Sequence, residues 1–199
     1  MRNKRLIFGI TGGSGSGKTS VSAILSELGV HIVDTDIIAH KVTEKGTECL
    51  RELEEYFGSE IILSGGLLDR KKLASIAFSD DKKTMHLNRI THKHIKDCVL
   101  EEIEKSSADI IAIDGAVIIG SNIEPLCEFI VSVIAKKDIR LERIKKRDDI
   151  SDKQAIERLN AQPDDSFYME NSKYIIYNNG DSEELRKNVN AVYSKIKEV

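Results

Sequence analysis

Eight consecutive residues near the N-terminus, Gly12-Gly13-Ser14-Gly15-Ser16-Gly17-Lys18-Thr19, fit the pattern G-x-x-x-x-G-K-[ST]. Glycines at that spacing let successive backbone N–H groups turn inward around a phosphate, and the N-terminus of a following helix adds its positive end. Lys18 then reaches the β- and γ-phosphates, and the Thr19 hydroxyl can ligate Mg²⁺. A glycine-serine turn that only caps a helix has no need of Lys-Thr in register. The loop therefore predicts a bound nucleoside triphosphate, contacted by Gly13, Ser14, Gly15, Ser16, Gly17, Lys18 and Thr19.

Other residue types could supply the rest of a phosphoryl transfer, in which protein groups mostly position and neutralise charge. Asp34 and Asp36 follow a predicted strand, where ligands of open parallel sheets collect. One can accept a hydroxyl proton while the other caps the next helix. Asp114, closing another strand, is either a water-mediated Mg²⁺ partner or a strand-end Asp. Residues 136–147 carry seven basic side chains, with Arg140, Arg143 and Arg147 on one helical stripe. They read either as a mobile arginine lid over phosphate oxygens or as a solvated face partnered by Glu142 and Asp148. A guanine-reading N-K-x-D is absent: Ala135-Lys136-Lys137-Asp138 lacks the Asn.

The elements that must hold these groups follow from periodicity. Short apolar runs at 6–10, 30–33, 109–113 and 129–135, and a weaker one at 175–177, read as five strands. Between them lie helical patterns: 20–28, stopped by Gly29; 37–42; a long helix at 83–105; 151–161 with Ser151 and Gln154 spaced as a capping box; and a last helix on Leu185, Val189, Val192 and Ile196. Alternating strands and helices imply an α/β fold with a five-stranded parallel sheet flanked by helices. Residues 47–107 show no strong strand and read as a helical insertion. One domain is expected: a core of about 1–46 and 108–199, that insertion, and a lid at about 138–165.

Composition narrows the class. Thirty Lys+Arg against 33 Asp+Glu leave a net charge of −3, which argues against broad nucleic-acid or anionic-membrane binding. The longest stretch without charged residues, 6–17, is too short and glycine-rich to span a bilayer. The basic start, Arg2, Lys4 and Arg5, imitates a signal peptide, but its apolar part is too short, so a first strand is expected instead. Cys49, Cys98 and Cys127 are odd in number and far apart, which suits a reducing compartment, the cytoplasm. A monomer is expected.

The order of motifs resembles the dephospho-coenzyme A kinase family of P-loop, nucleoside monophosphate kinase-like enzymes. Nearly the whole chain takes part: residues 10–19, Val33-Asp34-Thr35-Asp36-Ile37-Ile38-Ala39, Phe57-Gly58, 66–73, Leu87-Asn88-Arg89-Ile90-Thr91-His92, 143–148, Gln162 and Asn178-Asn179-Gly180. The resemblance implies ATP and Mg²⁺ as co-substrate and cofactor, and dephospho-coenzyme A as the small-molecule acceptor. By it Asp36 is the base for the ribose 3′-hydroxyl, Arg70 and His92 belong to the acceptor lobe, Arg143 and Arg147 are lid arginines, and Asn178 lies near the adenine. Against the family pattern the chain has Gly120 at an acidic position, Arg140 at a common Gln and Lys173 at a common Asp. Another small-metabolite or nucleoside P-loop kinase, or a nucleotide-binding regulator without transfer, are the alternative readings.

Overall fold

The computed structural model describes residues 5–199; Arg2 and Lys4 of the basic start lie outside them. Leu6–Thr11 forms strand β1, as its apolar run requires, followed by α1 (Lys18–Glu27), β2 (His31–Asp34) and α2 (Thr35–Lys41). Then come α3 (Glu48–Phe57), α4 (Arg70–Ala77) and α5 (Asp81–Lys105). The chain continues through β3 (Ile110–Asp114), β4 (Ile130–Ile134), α6 (Lys137–Asp148), α7 (Asp152–Asn160), α8 (Asp165–Glu170), β5 (Tyr174–Tyr177) and α9 (Ser182–Ile196). The sheet is parallel, in the order β2-β3-β1-β4-β5.

The chain divides into two compact units, one made of the described residues to Val33 with Ser106–Val199, the other of Asp34–Lys105. The first holds the sheet. Its central strands β1, β3 and β4 are largely buried on both sides and read as continuous apolar runs rather than alternating ones. Phe8 and Ile10 of β1, Val131 and Val133 of β4, Val21 and Leu25 of α1, and Val189 and Ile196 of α9 form one core. Each such side chain contributes about 1.5–3 kcal/mol by leaving water. Val192 stays only partly buried at the margin of that core. The expected capping box opens α7, with Ser151 and Gln154 each satisfying the other's backbone N–H. Ile144, Ala155 and Leu159 seal α7 against α6 in a separate small core.

The second unit is wholly helical apart from one isolated bridge, Ile62 to Leu68. Its start at Asp34, rather than near residue 47, reflects the packing of α2, α3 and α4 on the long α5. Glu52 of α3 accepts from Lys93 and pairs with His94 of α5, both at 3.0 Å. Among the described residues no helix is long and apolar enough to cross a membrane. The three cysteines are unpaired.

Candidate active site

The loop between β1 and α1 is held by side chains behind it. Its carbonyl oxygens are tied outward: Ser14 O accepts from Arg140 Nε at 2.9 Å, and Gly15 O from Arg143 Nη1 at 3.3 Å. Ser16 O accepts from Asn178 Nδ2 at 2.8 Å and from Arg143 Nη1 at 3.4 Å. A trans-planar peptide points its N–H opposite to its carbonyl, so the amides of Gly15 and Gly17 face away from these side chains. Amides so turned are free to meet an anion. Gly17 sits at φ 96°, and a Cβ there would run into the Asn178 amide. Lys18 and Thr19 open α1 from this turn, Lys18 half-buried and Thr19 exposed.

In the basic stripe of α6, Arg140 and Arg143 are thus turned onto the loop, while Arg147 stays exposed. Arg140 is only 6% exposed and takes Asp165 at 3.1 Å and Gln162 at 3.3 Å besides Ser14. Arg143 also donates to Asn178 O and Oδ1, at 3.3 and 3.2 Å. Arg147, farther along, is exposed, reaches Ser14 Oγ at 3.2 Å and pairs with Asp148. Hydrogen bonding to Arg147 holds the Asp148 carboxyl below its usual range and keeps the guanidinium protonated still more firmly. Asn178 is buried at the end of β5, and with Gly17, Ile24, Arg143 and Asp181 it borders a cavity of about 680 Å³.

Asp34 and Asp36 differ in their surroundings. Asp34 Oδ1 accepts the N–H groups of Asp36 and Ile37 at 2.8 and 3.0 Å, capping α2, while Asp36 is exposed in the first turn. Asp114 is buried at the end of β3 and accepts from Ser22 Oγ at 2.7 Å. Oxygen donors such as Thr19 and Asp114 suit Mg²⁺, which keeps several waters and rides on substrate phosphates. Among the described residues no three His, Cys, Asp or Glu side chains converge as a metal cage.

Within the helical unit, Arg70 and His92 border one cavity of about 270 Å³, floored by Leu53, Leu73 and Leu87. Arg70 Nη2 donates to Thr43 Oγ1 at 2.7 Å on its wall. Ala39, one turn after Asp36 on α2, lines the same cavity. Of the departures from the family pattern, Gly120 donates its N–H to Glu124 at 2.6 Å, and Lys173 Nζ lies over the Phe129 and Tyr174 rings at 4.9 and 5.4 Å.

The anchoring role of Arg140 and its bond to Asp165 escape a reading of the sequence, and Gln162 enters there only through the resemblance. One sign of them is present. The motif leaves positions 13 to 16 open, yet this chain has a further glycine at Gly13, where a Cβ would collide with the Arg140 guanidinium.

The family model for dephospho-CoA kinase matches residues 6–184. A dephospho-CoA kinase of Listeria monocytogenes serovar 1/2a is 35% identical over 184 residues, 91% of this chain and 92% of that protein. Among solved structures, TT1252 from Thermus thermophilus superposes with a TM-score of 0.84 at 26% identity, over 97% of this chain and 98% of that one. Dephospho-CoA kinase from Campylobacter jejuni does so with a TM-score of 0.61 at 25% identity and the same coverage. Since the match runs from β1 through the helical unit into α9, the chain belongs to the dephospho-CoA kinase family.

Proposed function

We propose that the chain transfers the γ-phosphoryl group of ATP to the ribose 3′-hydroxyl of dephospho-CoA, giving CoA and ADP. The observation that carries this is the division between Asp34, consumed as a helix cap, and Asp36, exposed and available to a hydroxyl. Asp36 accepts the hydroxyl proton, and Lys18 with the loop amides takes up charge on the transferred group. Thr19, with Asp114 through water, would hold Mg²⁺, which would supply further neutralisation when bound. The cavity bordered by Asn178 and Arg143 suits the donor nucleoside, and the one bordered by Arg70 and His92 suits the acceptor: Arg143 and Arg70 can meet phosphates, and the apolar lining meets the uncharged parts. Arg147, exposed and next to the loop, is the lid arginine best able to follow a moving phosphoryl group. The reading is of a cytoplasmic monomer acting on a small molecule.

Coupled ADP release with dephospho-CoA and with its 3′-deoxy analogue tests this. Dephospho-CoA is expected to turn over, and the analogue to compete without reacting, since its contacts persist while the nucleophile is gone. Phosphorylation of the analogue would refute the regiochemistry, and rapid use of a nucleoside with no use of dephospho-CoA would refute the substrate.

A further inference from the structure

We infer that Arg140, with Gln162, is a positioning residue of the nucleotide site, presetting the phosphate-binding loop from behind without touching the nucleotide. Its three guanidinium nitrogens are each committed to protein: Nε to Ser14 O, Nη1 to Asp165 Oδ1 and Nη2 to Gln162 Oε1. Gln162 Oε1 also accepts the Ser14 N–H at 2.7 Å. Both backbone groups of the residue at the loop's tip are therefore fixed by one pair of side chains, and Gly13 leaves the room for the guanidinium to lie there.

Burying a guanidinium is costly unless it is paired and hydrogen-bonded, and an apolar residue of similar volume stabilises a core at least as well. Packing alone does not explain an arginine that is 6% exposed. What the arginine adds is direction, because its planar fork bonds three acceptors at fixed angles, which lysine cannot do. The acceptors come from the loop, from Gln162 just after α7 and from Asp165 at the start of α8, so the fork registers the loop against the α7–α8 junction. A loop whose amides already converge on the phosphate spends no binding energy on ordering itself.

The inference rests on the loop being a nucleotide site, which wild-type binding of Mg²⁺·ADP tests separately. Calorimetric titration with Mg²⁺·ADP and with adenosine, well below each variant's melting temperature, reads the effect. Arg140→Leu and Gln162→Leu are each expected to weaken Mg²⁺·ADP binding by about tenfold, the scale of losing hydrogen bonds to a charged group. Adenosine, which has no phosphate for the loop to hold, should bind as before. Arg140→Lys should recover little of the loss. The double variant should lose no more than about the larger single loss, because both side chains act through Ser14. KM for ATP should rise while kcat at saturating ATP falls less than threefold, about a threefold change being small against the loss of a group acting in the transition state.

Mg²⁺·ADP affinity within twofold of wild type in a folded Arg140→Leu or Gln162→Leu protein would overturn the proposal. So would an equal loss of adenosine binding, or strictly additive losses. If Arg140→Leu fails to fold, Gln162→Leu decides alone, since that side chain is only half-buried.

Discussion

At the scale of single residues, the proposed base Asp36 and the helix cap Asp34 call for opposite outcomes on substitution. Asp36→Asn keeps the side chain's shape but cannot take a proton, so kcat should fall by about 10²–10⁴ while ATP affinity holds. Asp34→Ala should instead cost about 1 kcal/mol of stability by uncapping α2. Paired kinetic and denaturant measurements check both, and a larger loss of kcat in Asp34→Asn than in Asp36→Asn would reverse the assignment. Lys18→Ala should abolish most turnover, by about 10²-fold or more, and leave the circular dichroism spectrum unchanged, because the amine sits at the loop and outside the core. The thiols are a further residue-level case: burial pushes Cys49 up to about 11 and Cys127 up to about 12. Since the thiolate is the nucleophile, iodoacetamide at neutral pH should label both slowly until the chain is unfolded.

Between elements, the helical unit offers a pH dependence whose sign is fixed. Hydrogen bonds from Lys93 and His94 lower the pKa of Glu52, which ties α3 to α5. A lowered carboxylate stabilises the fold above its unfolded value, about 4.3, and loses that contribution as pH falls through the folded value. Glu52→Gln should thus flatten the acid limb of a stability–pH curve and lower stability at neutral pH. The elements themselves were largely legible: the five strands are apolar runs, and Ser151 with Gln154 announced α7. The six residues of α8 give no helical period to read, although Tyr168 buries against β4. Nothing local in α2 tells that it belongs with α5, since that depends on a partner some fifty residues away. In the same way, Arg140 and Arg143, within a run of seven basic residues over 136–147, look solvated until the phosphate-binding loop is known to lie against them.

For the whole molecule, the sequence disclosed a sheet core and a helical insertion, while the border between them came from packing alone. A ligand that binds only the folded state stabilises it by mass action, about 2.7 kcal/mol at a hundred times Kd. Mg²⁺·ADP should accordingly raise the melting temperature, a shift that scanning calorimetry measures and that Lys18→Ala should shrink. The placement of β1 at the centre of the sheet also sets a schedule for the newborn chain. Its partners are β3 and β4, and Ile110, which pairs with Leu6, leaves the ribosome more than a hundred residues later. At about 5–20 residues per second, the apolar β1 waits roughly 5–20 seconds with both edges bare, while the helical unit emerges and makes its contacts within itself. The strand that carries the phosphate-binding loop is therefore the first made and among the last to be completed, and a nascent-chain chaperone has that interval in which to hold it.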